Sequence, residues 1–156
     1  MQKNFYPMAI ALAASYHQGQ TRRGGAPYIT HPLAVASNFT DNKLRIVAVL
    51  HDVLEDTDIA LEILEKHFTE DIVSALKLLN RKSSKSYEEY LFGINSNELA
   101  RSVKIADILH NLSDKPKSQK IGEYLDSLSY LYRKGDADYL KELPKELLAR
   151  KDENEG

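Results

Sequence analysis

The sequence contains no cysteine, which excludes a disulfide framework, a thiolate nucleophile, a Cys-ligated zinc and an iron–sulfur cluster. Any metal is left to histidines and carboxylates. Charge of one sign is not in excess either, with 21 Lys and Arg against 23 Asp and Glu and a formal net charge of −2. Duplex nucleic acid calls for a cationic field that this balance does not supply, so no nucleic acid partner is expected. Long apolar runs are also missing. The first apolar stretch, residues 5–16, is far short of the roughly 20 apolar residues that span a bilayer, and no membrane partner is expected.

The N-terminal segment admits a second reading, because Lys3 precedes an apolar run from Met8 to Ala14 and Ala11-Leu12-Ala13 has the look of a signal-peptide cleavage site. Helical spacing of Ala9, Leu12, Ala13 and Tyr16, with Pro7 near the start, favours a first amphipathic helix leading into His17. A cytoplasmic location follows from that reading. The 156 residues, 42% hydrophobic and 28% charged, suit one compact domain. Residues 1–150 are assigned to it, and the polar stretch 151–156 to an unordered tail.

Apolar residues recur with helical period nearly throughout and no stretch alternates with period two, which predicts an all-α fold. The front of the chain holds one strongly loop-like region, Gln18 to Thr30, where Gly19, Gly24, Gly25 and Pro27 punctuate a polar run carrying Arg22 and Arg23. A helix capped by Thr30 is expected to run to about Phe39, and another from Lys43 to about Glu55. The latter is too apolar for a surface element and should be central. Further helices are expected at about Ile59–His67, Glu70–Leu79 and Ser86–Ile94, with a polar loop Asn80–Lys85. A second buried helix should span Asn97–Leu112, and a last pair, Gly122–Lys134 and Asp136–Arg150, should hinge at Gly135.

Charge is uneven along this framework. Residues 1–50 carry five basic groups against Asp41 alone, whereas residues 51–110 carry seven basic and twelve acidic groups. Such runs are usually solvated helix faces. Here, however, His51, Asp52, Glu55 and Asp56 fall in one apolar helix and Lys104 and Asp107 in the other, where an isolated charge is costly unless paired or bound to metal. On a continuous helix His51 lies beneath Glu55 and Asp52 beneath Asp56, while Lys104, Asp107 and Asn111 form a second stripe. His31, His51, Asp52 and Asp107 together offer two imidazoles and two carboxylates. That set suits an octahedral ion with open positions, Mn²⁺ or Fe²⁺ best, with Zn²⁺ also possible. Any one of these histidines alone reads as a satisfied core residue; the four together read as a site.

The chain resembles the HD-domain phosphohydrolases, and within them the hydrolase domains of RelA/SpoT-type enzymes and stand-alone small alarmone hydrolases. Residues 9 to 114 carry the likeness in three ordered blocks. The first is His17-x-x-Gln20-x-Arg22-Arg23-x-Gly25-x-Pro27-Tyr28-Ile29-x-His31-Pro32-Leu33-x-Val35-Ala36. The second is Leu50-His51-Asp52-x-x-Glu55-Asp56-Thr57, and the third is Lys104-x-Ala106-Asp107-x-x-His110-Asn111. The resemblance implies a compact multi-helix HD-domain fold, metal held by His31, His51, Asp52 and Asp107, catalysis by Glu55 and Asp56, and substrate binding by Arg22, Arg23, Lys104 and Asn111.

It further implies a small-molecule nucleotide substrate, with removal of the 3′-pyrophosphate of (p)ppGpp to give GDP or GTP. Glu55 and Asp56 would orient water and shuttle its proton, Lys104 would offset phosphoryl charge, and Arg22 and Arg23 would clamp phosphate or stack on the base. His17, Tyr28 and His110 are expected to orient the loop and pack beneath the site. His67 is expected at the surface near a helix end, and Tyr87, Tyr90 and Leu91 on the apolar face of their helix.

The third block departs from the family's usual Ala-Asp-Arg-Leu-His-Asn-Met-Arg-Thr, reading Ala106-Asp107-Ile108-Leu109-His110-Asn111-Leu112-Ser113-Asp114. Asp114 in place of Thr is expected to turn an acid toward the nucleotide. The alternatives are an HD phosphohydrolase acting on another nucleotide, such as the 2′-phosphate of NADPH, and a module that senses nucleotide and metal without turnover.

Overall fold

A computed structural model describes residues 4–138. Nine α-helical segments lie among the described residues, with no strand: α1 Tyr6–Tyr16, α2 Thr30–Ala36, α3 Asn42–Leu50, α4 Val53–Asp56, α5 Leu61–His67, α6 Glu70–Leu78, α7 Tyr87–Asn95, α8 Glu98–Ser113 and α9 Ser118–Leu131. Short 3-10 turns at Arg81–Ser83 and Lys134–Asp138 complete the path. The all-α expectation is met. The expected tail 151–156 and most of the helix Asp136–Arg150 lie outside the described residues.

Helices α3 and α8 pack on one another at the centre, as their composition requires. Five consecutive α3 residues, Ile46 to Leu50, are buried, and α8 buries an unbroken run from Ala100 to Val103 and another from Ile105 to Ile108. Around this pair, α1 and α2 pack on α3, while α2, α6, α7 and α9 pack on α8. Ala9 and Ala13, fully buried on α1, let that helix approach closely.

Three expectations need correction. Thr30 is not a cap: it lies inside α2, whose N-cap is Ile29, and its hydroxyl donates to the Pro27 carbonyl at 2.7 Å. The helix expected from Lys43 to Glu55 is broken at His51-Asp52. The cause is local, because the His51 ring Nδ1 donates to the Ala48 carbonyl at 2.6 Å and the His51 backbone N–H reaches that same carbonyl at 3.4 Å. A new turn then begins with the Asp56 N–H on the Asp52 carbonyl, 2.9 Å away. Finally, the helix expected at Gly122–Lys134 spans Ser118–Leu131, and Gly135 lies in a 3-10 turn anchored where Asp136 pairs with the buried Arg101 at 2.6 Å.

Candidate active site

The break between α3 and α4 puts the His51 and Asp52 side chains where α2 and α8 converge. His31, on the first turn of α2, places Nε2 2.7 Å from Asp107 Oδ1 of α8. His51 Nε2 lies 3.0 Å from Asp52 Oδ2 and 3.3 Å from Asp107 Oδ1. Neither contact has hydrogen-bond direction, and His51 Nε2 is a buried polar atom without a hydrogen-bond partner among the described residues. Because Nδ1 is engaged as a donor to Ala48, Nε2 is the atom that the ring turns to the two carboxylates, and its lone pair is free for a cation when the ring is neutral.

His51 Nε2 and the two carboxylate oxygens beside it, about 3 Å apart and not hydrogen-bonded to that nitrogen, have the spacing of neighbours around an ion with bonds of about 2.1 Å. The donors of His31, His51 and Asp52 lie within 4.8 Å of one another, as do those of Asp52, Glu55 and Asp56. These residues therefore fit a divalent cation.

The electrostatics agree. Burial works against an imidazolium at His51, yet Asp52 and Asp107 outweigh it and hold this ring well above the ordinary histidine range, so the pocket favours positive charge there. Asp107 is driven the other way: burial opposes its carboxylate, and the neighbouring Lys104 and His51 charges hold it well below the usual range. Lys104 Nζ donates to Asp107 Oδ2 at 3.0 Å, and Asn111 Nδ2 donates to Oδ1 at 3.1 Å. Asp56 is pushed up to about 6 by burial and by repulsion from Asp52 and Glu55, a value at which a carboxyl group can both hold and release a proton near neutrality.

Supporting contacts come from the residues expected to pack beneath the site. The Tyr28 hydroxyl donates to Asp52 Oδ2 in a short contact. His110 Nδ1 lies 2.7 Å from His31 Nδ1, so one of the two rings donates and both are fixed in orientation. His17 bonds Gln20 at 2.9 Å, and Gln20 in turn donates to the Asp56 carbonyl at 2.9 Å. His67 sits in the last turn of α5.

The loop between α1 and α2 is folded back by an antiparallel bridge between Thr21 and Pro27 and by the Arg22 N–H on the Ala26 carbonyl. Gly25 closes this turn at φ +92°, a conformation that a side chain disfavours. Arg22 and Arg23 are thereby presented to a cavity of about 650 Å³. All ten residues expected at the site, Arg22, Arg23, His31, His51, Asp52, Glu55, Asp56, Lys104, Asp107 and Asn111, line that one cavity.

Sequence reasoning missed its far wall. Arg81, in the segment expected to be a polar loop, donates its backbone N–H to Glu55 Oε1 at 2.7 Å. Its guanidinium lies over the Tyr87 and Tyr90 rings, at 5.6 and 5.8 Å. Tyr90 is buried as expected, with Lys104 Nζ 5.5 Å from its ring centre, but Tyr87 is partly exposed and lines the cavity with Tyr124, Lys117 and Lys120. A basic residue six before a tyrosine pair was the one available signal.

A family profile described as "HD domain" matches residues 9–89, just over half of the chain. The chain belongs to the HD-domain family. It is 34% identical over 139 residues to a guanosine-3′,5′-bis(diphosphate) 3′-pyrophosphohydrolase of Borreliella burgdorferi, covering 78% of this chain and 21% of that protein. It is 31% identical over 119 residues to the bifunctional (p)ppGpp synthase/hydrolase SpoT of Escherichia coli K12, covering 67% of this chain and 17% of that one. This HD domain thus spans about a fifth of the length of those curated relatives. Among solved structures it matches a metazoan ortholog of SpoT, described as hydrolysing ppGpp, at TM-score 0.70 and 25% identity, over 98% of this chain and 94% of that one. No described helix is long and apolar enough to cross a membrane.

Proposed function

We propose that this HD domain is a metal-dependent nucleotide pyrophosphohydrolase that removes the 3′-pyrophosphate from (p)ppGpp, releasing pyrophosphate and GDP or GTP. The observation that carries the reading is the single cavity in which the His31, His51, Asp52 and Asp107 donors face one another beside Glu55 and Asp56. The similarity to proteins named as hydrolases of this substrate supports it.

His31, His51, Asp52 and Asp107 would hold the cation, with Mn²⁺ favoured by the two-imidazole, two-carboxylate set and Fe²⁺ or Zn²⁺ as alternatives. When bound, such an ion supplies Lewis acidity to the phosphoryl oxygens and lowers the pKa of water. Glu55, held by the Arg81 N–H, orients the attacking water and accepts its proton. Asp56, with its raised pKa, carries a proton toward the departing 3′ oxygen. Water adds to phosphorus as the bond to the ribose 3′ oxygen breaks, leaving a 3′ hydroxyl. Lys104 offsets the charge that grows on the phosphoryl oxygens. Arg23 and Arg81, which both line the cavity, bind phosphate or base.

The test is a release screen with Mn²⁺ that scores phosphate and pyrophosphate separately across ppGpp, NADPH and ordinary nucleotides. Pyrophosphate from ppGpp is the expected product. Phosphate from NADPH alone would transfer the site to a different nucleotide, and binding of ppGpp without release of either product would make the domain a sensor.

A further inference from the structure

The guanidinium of Arg22 is already held. Its Nε and Nη2 donate to Asp114 Oδ2 at 3.1 and 2.9 Å, and Nη2 also reaches Asn111 Oδ1 at 3.4 Å. Asn111 turns its Nδ2 to Asp107 Oδ1, so one hydrogen-bond chain runs from the floor of the cavity through Asn111 to Arg22 and Asp114. Asp107 and Asp114 are separated along α8 by seven residues, about 10 Å of helix rise. The Arg22 side chain is 12% exposed and that of Asp114 is 50% exposed, and both line the cavity.

A guanidinium gripped along its Nε–Nη2 edge by a carboxylate keeps its planar face for a base but contributes no net charge as a pair. Phosphate approaching Arg22 must either break the pair or lie beside the Asp114 carboxylate. Of the other cations lining the cavity, Lys120 is paired as well, its Nζ donating to Glu123 Oε2 at 3.4 Å. This part of the cavity is therefore less cationic than its arginine and lysine content suggests.

We propose that Asp114 is a specificity-determining residue: by pairing with Arg22 it limits how many phosphates a nucleotide can carry at the end away from the His31, His51, Asp52 and Asp107 cluster. The inference rests on the nucleotide reading above. It applies to affinity for the whole nucleotide and leaves the chemical step aside, because Asp114 contacts neither Glu55 nor Asp56 and meets the cavity floor only through Arg22 and Asn111.

The test is calorimetric binding of GMP, GDP and GTP in metal-free buffer to the full chain and to its Asp114→Asn and Asp114→Glu variants. Asp114→Asn should tighten GTP binding by roughly fivefold or more, the scale of one interaction between partly exposed charges, and GMP binding by less than about twofold. Asp114→Glu should behave as the parent, and added salt should shrink the difference. Equal changes for all three nucleotides, no change, or a uniform loss of affinity that marks Asp114 as only a brace for Arg22 would each overturn the proposal. Failure of any guanine nucleotide to bind would overturn it together with the nucleotide reading. A phosphate-count effect without ppGpp hydrolysis would overturn the proposed reaction alone.

Discussion

Glu55 is set apart from its acidic neighbours by what it accepts. Asp52 faces His51 and the Tyr28 hydroxyl, and Asp56 is a repelled carboxyl with a raised pKa, but Glu55 takes a backbone N–H from Arg81 at 2.7 Å. That bond aims its carboxylate into the cavity without neutralising it. Glu55→Gln is near-isosteric, so it should retain metal and fold while turnover falls by roughly 100-fold or more, the scale of a positioned acid–base group. Parallel titration of bound Mn²⁺ and measurement of kcat check this, and wild-type turnover would assign proton transfer to another group. At this scale the acids and histidines were legible because charged residues inside apolar helices stand out. Arg81 was not. Its contact with Glu55 bridges 26 positions through a main-chain donor, which any residue but proline supplies.

Between elements, the decisive features are the junctions. The α3–α4 break depends on one side-chain to backbone bond from His51, so hydrophobic periodicity alone reads straight through it. Arg81 opens the 3-10 turn capped by the Asn80 side chain, a first-turn position where proline's missing N–H is tolerated. Arg81→Pro should therefore keep the turn and cost no more than about 1 kcal/mol beyond Arg81→Ala, the scale of one hydrogen bond, while lowering kcat by about tenfold because Glu55 loses its anchor. Arg81→Ala, which keeps the N–H, should instead affect mainly KM. A kcat unchanged in Arg81→Pro would show that Glu55 needs no such anchor.

A second junction secures the N-terminal half of α8. Arg101, buried there, pairs with the buried Asp136 and also donates to the Leu131 carbonyl at 3.1 Å, joining α8 to the end of α9. Asp136→Ala leaves the buried Arg101 charge with only the exposed Glu98 carboxylate, 3.0 Å away, and should cost about 3 kcal/mol in denaturant unfolding. A loss near zero would mean that the pair adds nothing over its surroundings.

Across the whole molecule, two all-round apolar helices cross at the centre, and each carries a few charged groups at the place where they meet α2. The apolar composition of α3 and α8 announced their burial, and the order of the three blocks announced which charges meet. How the rim is balanced was invisible: Arg22 and Asp114 are 92 positions apart, and nothing local to either pairs them. The fold thus assembles a cation-fitting floor under a rim whose basic groups are partly cancelled. Whether this floor works through a cation is decided by ppGpp hydrolysis followed by product ratio, with protein stripped by chelator and then titrated with Mn²⁺. Turnover should vanish on stripping and return to saturate at one Mn²⁺ per chain, with one pyrophosphate released for each GDP. Undiminished hydrolysis by the stripped protein, or recovery equally complete in His51→Ala at the same Mn²⁺ concentration, would contradict it.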